Sequence, residues 1–396
     1  MNHALEGARQ TMTDRQILGM TFVIMLAMGV LSAALGPALD DLAEQTGSSL
    51  DMLGAIFTAS FGGTMLAQAS GGPLNDRFGQ RPVMLAGVVL GAVGALGIVL
   101  SQTLWLTLAS AVIFGMGFGA LDVSSNVLIA EVFAARSVPI LNLLHVFFGV
   151  GSVIGPGIAS VTISLWDTAL PSLWVGMAVI LLPLFGILRL KAGPVRAKGE
   201  LAPVDVFSYR APLLWALGVL MMLYVAIEAG LGAWTKTYAD RSTSLSEEAA
   251  ALLTSGFWFA LTIGRVAGAV WGGRFQAFTV LGASLVGMLA GAVVLLVGHG
   301  NIALTVLAVL IIGVWAGPPF PTAIAIATRL FRSGPGKATG MVVSLASLGA
   351  AIFPWLQGVV LEQGGTGAYA VFIGGLTLAM VVLYAEIRRR MAKVPA

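Results

Sequence analysis

Residues 82–101, PVMLAGVVLGAVGALGIVLS, carry no charged side chain over twenty positions, and Arg77 and Arg81 stand just before them. As an α-helix that stretch is about 30 Å long, which matches the hydrocarbon core of a bilayer. Its apolar character is continuous, whereas a barrel strand alternates over about ten residues. Outward from it, similar runs lie at 17–39, 52–72, 104–131, 139–165, 171–190, 211–238, 249–273, 277–298, 301–328, 338–361 and 368–387. Together with 82–101 they make twelve expected transmembrane helices in an all-α integral membrane protein. The first run is too long for the apolar core of a signal peptide and is expected to be retained.

Composition agrees. Of 396 residues 58% belong to the set AVILMFWYC and only 10% are charged, against roughly 25% in a soluble domain. Mean hydropathy is +0.94. There is no cysteine, so no disulfide framework or thiolate metal site can form. No HExxH, Walker loop or nucleophile–base pair is present, and the loops are too short for a catalytic domain, so no enzyme, cofactor or metal is expected.

The net charge of +3 is segregated along the chain. With the N-terminus inside, 18 of the 21 basic residues fall in cytoplasmic segments, and Lys236, Arg241 and Arg265 are the exceptions. The opposite loops hold Asp40, Asp41, Glu44, Asp51, Asp167, Asp240, Glu247, Glu248 and Glu362. This pattern follows the positive-inside rule and puts both termini in the cytoplasm. It gives no sign of nucleic-acid binding; the bilayer is the expected partner. The polar stretch 191–211 divides the spans six and six, giving halves at 1–190 and 212–396 joined by a cytoplasmic linker. An offset of 197 or 198 residues aligns Arg77-Phe78 with Arg274-Phe275, Gly115 and Gly119 with Gly313 and Gly317, and Gly151 and Pro156 with Gly349 and Pro354. Parallel six-span repeats imply a substrate site between the halves and rocking motion about it.

The stretch Gly72-Pro73-Leu74-Asn75-Asp76-Arg77-Phe78-Gly79-Gln80-Arg81 resembles the G-x-x-x-D-R-x-G-x-[RK] loop of the major facilitator superfamily. The resemblance implies that Asp76, Arg77 and Arg81 gate the cytoplasmic side without touching substrate. Arg265, on the cytoplasmic half of the eighth span, is grouped with them.

Ionisable groups at membrane depth cost about 2.5–3.5 kcal/mol on insertion scales and are read as functional. Asp122 and Asn126, four apart, share a helix face in the fourth span; Asn142 and His145 do so in the fifth, at comparable depth. Glu228 lies in the seventh span, followed by Gly230, Gly232 and Trp234. Six residues are 120° short of two turns, so Glu228 and Trp234 would share a face only if the helix bent at those glycines. Leu121-Asp122-(x)3-Asn126, Leu141-Asn142-(x)2-His145 and Tyr224-(x)3-Glu228 resemble the fucose permease branch of the superfamily. That implies a monosaccharide or similar polyol as cargo, and puts Asp122 in the place of the proton-coupling carboxylate. One departure stands out: residues 17–39 contain no acid, where the fucose symporter has one.

The site expected from these readings comprises Asp122, Asn126, Asn142, His145, Glu228 and Trp234. Protons are the expected coupling ion; sodium, held by Asp122, Asn126 and Ser125, is the alternative. Gly151-(x)3-Gly155-Pro156 partly resembles the antiporter motif of drug exporters, although Ala159-Ser160 replaces its closing glycine pair, so efflux of lipophilic compounds is the competing reading. A monomer in a bacterial inner membrane is expected. Tags at Ala396 and within 191–211 should report from the cytoplasm, and a tag at Asp40 to Glu44 from outside; tags at 191–211 and Ala396 on opposite faces would overturn the six-span repeat.

Overall fold

A computed structural model describes residues 12–133, 137–190, 211–271, 274–331 and 335–392, apart from a few side chains within them. The expected linker at 191–210 and both chain ends lie outside the described residues. The described chain is helical, with no strand among those residues. In order come α1 (Asp14–Ala34), α2 (Leu39–Thr46), α3 (Leu50–Leu53), α4 (Ala55–Phe78), α5 (Gln80–Leu100), α6 (Leu104–Phe133), α7 (Ser137–Trp166), α8 (Leu170–Leu181) and α9 (Leu184–Arg189). They are followed by α10 (Pro212–Ser242), α11 (Glu247–Trp271), α12 (Ala277–Val297), α13 (Ile302–Ala316), α14 (Pro319–Leu330) and α15 (Pro335–Ala392). Helices satisfy their own backbone groups, which hydrocarbon demands.

Among the described residues eleven stretches are long and apolar enough to cross a membrane, and the last of them, Ala338–Met391, has 54 residues. Inside it Gly365 has φ 77° and ψ 178°, a non-helical break. The Tyr369 hydroxyl donates to Gln357 Oε1 at 3.1 Å, yet in a straight helix twelve residues would separate the two by about 18 Å. The chain therefore folds back at Gly365 into two arms. Proline and glycine break other runs more gently: Pro183 separates α8 from α9, and Gly317-Pro318 separates α13 from α14.

Several expected boundaries are corrected. The first run splits, since α1 starts on a Thr13–Gln16 capping box and ends at Ala34, and Leu39 opens α2. The expected loop after the second span is a single residue: α4 runs through Pro73 to Phe78, Gly79 turns with φ 81°, and α5 begins at Gln80. Hydropathy sees only the part of a helix that lies in hydrocarbon, whereas the backbone continues into water wherever its polar face is hydrated.

Glycines set the helix spacing. A methyl at Gly115 of α6 would fall 1.8 Å from the Ser60 carbonyl oxygen of α4, and one at Gly119 would meet Thr64 and Ala67. In the second half the equivalents repeat this: Gly313 of α13 abuts the Phe257 carbonyl and Gly317, capping α13, abuts Gly264 of α11. Ser60 and Phe257, like Ala67 and Gly264, are 197 positions apart. Likewise Gly151 of α7 rests on Leu26 of α1, and Gly349 of α15 on Met222 of α10. Small residues at such crossings let helices associate where lipid removes the hydrophobic driving force.

The helices before the 191–210 stretch and those after it meet where α7 packs on α11 and where α3 and α4 pack on the first arm of α15. At the acidic end this seam is closed by charge. Lys236 of α10, only 2% exposed, reaches Asp40 Oδ2 of α2 at 2.8 Å and Glu247 Oε2 of α11 at 3.0 Å. Arg241 pairs with Glu362 at 2.8 Å, and Gln363 donates to Asp51 at 3.1 Å. Asp41 secures the start of α8 by accepting from the Ala169 N–H at 2.6 Å and from Thr168 at 3.0 Å. Burial nonetheless holds its carboxyl above the usual carboxylate range.

Gly115→Ala should destabilise the protein by about 1–3 kcal/mol, while Gly62→Ala, with nothing within 4 Å of the added carbon, should leave thermal unfolding in detergent unchanged. Lys236→Met strands two carboxylates and should loosen the seam. In a chain without native cysteine, Thr58→Cys, at a position bonded to the Ala351 carbonyl of α15, should then react several-fold faster with an impermeant thiol reagent; an unchanged rate would contradict the role of the ion pair.

Candidate substrate and coupling site

The first polar centre lies between α4 and α6. Asn126 Nδ2 donates to Asp122 Oδ1 at 2.9 Å, as their spacing of four allows, and also to the Asp122 carbonyl at 2.9 Å. The other carboxylate oxygen accepts from Gln68 Nε2 at 3.1 Å. Sequence reading missed Gln68. Its signal was a single amide inside the second apolar run, in Leu66-Ala67-Gln68-Ala69. The contact is possible because Gly119, about one turn before Asp122, sits on Thr64, one turn before Gln68, and on Ala67 beside it. Ser124 and Ser125 flank the carboxylate in sequence with buried hydroxyls that have no partner.

His145 of α7 is exposed although it stands within an apolar span. It acts electrostatically on Asp122 in its own half and feels Arg265 from the other. The backbone of Asn142 belongs to α7, one turn away, and its side chain lies outside the described residues.

The second centre joins α10 and α11. Arg265 Nη2 donates to Glu228 Oε1 at 2.8 Å, with side-chain exposures of 30% and 13%. Arg265, grouped with the gate by sequence, thus stands with Glu228 in the same centre. Tyr224, one turn from Glu228, is fully buried and donates its hydroxyl to the Ala316 carbonyl at 2.7 Å. Arg265 is 197 positions after Gln68, the offset that relates the glycine crossings. The same place in each repeat therefore supplies the N–H donor that meets a carboxylate at membrane depth.

Trp234 sits apart from this centre. It is fully buried, donates Nε1–H to the Pro354 carbonyl at 2.7 Å, and packs edge-on against Phe57 at 6.4 Å. Gly54 and Gly358 accommodate its ring from the two sides of the seam. Helix α10 continues through Gly230 and Gly232. These glycines give room to neighbours, Gly230 to the Gln357 amide and Gly232 to Trp258. The bend that would turn Trp234 toward Glu228 is replaced by close packing.

Of the gating residues, Arg77 is exposed with its guanidinium 5.1 Å from the Phe78 ring centroid, and Arg81 is half-buried. The Asp76 side chain lies outside the described residues. The turn itself is tied to α6 by Gln80 Nε2, which donates to Glu131 Oε2 at 2.6 Å.

Known proteins share this architecture. The chain is 24% identical over 382 residues to sodium-dependent glucose transporter 1A of Mus musculus, covering 86% of this chain and 88% of that one. The structure of a point mutant of the nucleoside transporter NupG superposes with a TM-score of 0.80 at 13% identity, covering 94% and 99% of the two chains. A point mutant of the E. coli fucose:proton symporter FucP does so with a TM-score of 0.62 at 18% identity, covering 94% and 98%. The sequence pattern of the Major Facilitator Superfamily matches residues 17–242 and again 235–396. This multi-pass membrane protein is a transporter, not an enzyme, and belongs to the Major Facilitator Superfamily.

Proposed function

We propose that this transporter works by alternating access and imports a monosaccharide or similar small polar solute together with protons, its basic face lying in the cytoplasm. The observation that carries this reading is the Asp122 centre: a carboxylate at membrane depth whose two oxygens accept from the amides of Gln68 and Asn126. Sealing at the acidic end by Lys236 and Asp40 keeps the carboxylate away from the outer solution. Opening there would expose the carboxylate to the outer proton supply, and loading it removes the charge that the membrane disfavours.

A sugar needs several donors and acceptors together with an apolar surface. Glu228, Arg265, His145 and Asn126 offer the polar half of that list. The names of the glucose and fucose relatives specify a sugar cargo, which supports the same class. One of those names specifies sodium and the other a proton; we favour protons because a single proton discharges a carboxylate held by two amides, and sodium at Asp122, Asn126 and Ser125 is the alternative.

The test is uptake of labelled hexoses into proteoliposomes under an imposed pH or sodium gradient, with lipophilic cations as the control for efflux. Asp122→Asn should abolish gradient-driven uptake and retain exchange at equilibrium, since the amide resembles a permanently protonated acid. Concentrative uptake by that variant with its usual pH dependence would transfer the coupling role elsewhere. Glu228→Gln removes one charged hydrogen bond of about 1.5–3 kcal/mol, so sugar affinity should fall by about one to two decades.

A further inference from the structure

We infer that Trp258, and not Trp234, is the aromatic platform on which the ring of the cargo rests. This inference depends on the sugar reading above and goes further by naming the residue that meets the apolar face of the ring.

Four residues of α11 fall within an arc of about 80° at 100° per residue: Ser255, Trp258, Thr262 and Arg265. Their contacts define what that face meets. The Ser255 hydroxyl donates to the Val153 carbonyl of α7 at 2.8 Å, Gly149 of α7 lies against Thr262, and Arg265 pairs with Glu228 of α10. Trp258 therefore points between α7 and α10, toward the seam of the two halves and the same space as the Glu228–Arg265 pair. Its benzo edge rests on Gly232, where a methyl would fall 2.5 Å from Cζ2. Gly232 is one turn from Glu228, about 6 Å along α10.

Two further observations separate Trp258 from Trp234. Trp258 is partly exposed, whereas Trp234 is fully buried and its N–H is already bonded to Pro354. The Nε1–H of Trp258 is buried with no partner, and an unmet donor of this kind is rare in a native interior. A hydroxylated ring lying on the indole would put its C–H face on the π-system, its hydroxyls within reach of Glu228 and Arg265, and one oxygen at the free N–H. A small movement at the Gly232 contact would uncover that N–H.

The test is equilibrium binding of labelled D-glucose, L-fucose and D-xylose to purified wild-type protein, Trp258→Phe, Trp258→Ala and, as a control, Trp105→Phe, whose native side chain is 77% exposed. Trp258→Phe should weaken binding roughly 3–10-fold by losing the donor, and Trp258→Ala roughly 100-fold by losing the face as well. A sugar-induced change in tryptophan fluorescence should persist in Trp105→Phe and vanish in Trp258→Phe, a readout that holds even if Trp258→Ala fails to fold. Wild-type binding with Trp258→Phe unchanged in both affinity and fluorescence would overturn this assignment while leaving the sugar reading intact. Wild-type protein that binds none of the three sugars overturns both.

Discussion

A carboxylate in the middle of an apolar helix must be met by donors close enough to replace water, and the distance between helices decides whether they can reach it. Here that distance is set by backbone contact at glycine. Gly119 of α6 lies on Thr64 and Ala67 of α4, so Gln68 arrives at Asp122. Gly317, at the end of α13, lies on Gly264 and Arg265 of α11, and Arg265 meets Glu228 of α10. A side chain at Gly119 would push α6 from α4 and Gln68 from Asp122, and one at Gly317 would displace the α11 backbone that carries Arg265. Packing and chemistry are thus one constraint, applied twice at an offset of 197 or 198 residues. The two halves differ in what it serves: an amide holds Asp122 in one, and a guanidinium neutralises Glu228 in the other.

The acidic end follows the same logic with more water. Lys236 is almost wholly buried but retains two carboxylates, one from each half. An ion pair across a seam is costly to break by removing one partner. It is much cheaper to exchange for water when the halves separate, because Asp40 and Glu247 are already 28% and 56% exposed. Trp234, Gly54 and Gly358 form the dry layer beneath it. The residue that sequence reading placed at the sugar is in this structure part of that seal.

Much of this was legible in the sequence, for physical reasons that also mark where it stopped. Span lengths follow from the thickness of hydrocarbon, so the apolar runs fold as helices, several of them broken at proline or glycine. Helix ends in water obey no such measure, and the loop expected at Gly72 to Arg81 proved to be helical except at Gly79. Asp122 with Asn126 was readable because both lie on one helix at a spacing of four. Glu228 with Arg265 was not, since 37 residues and a helix turn separate them and only tertiary packing brings them together. Gln68 offered no charge to notice. Nothing in the sequence singled out Trp258; burial of Trp234 and one unpaired N–H on Trp258 distinguish them.

In the proposed cycle sugar binding at Glu228 and Arg265 is coupled to proton loading at Asp122. Linkage is reciprocal: if protonation of Asp122 favours sugar binding, then sugar binding must draw protons from solution. The direct measurement is the pH change on mixing purified protein with sugar in weakly buffered detergent near neutral pH, without sodium. The account predicts proton uptake that saturates with sugar binding. Saturable binding with no proton exchange, or binding that appears only when sodium is added, would contradict it.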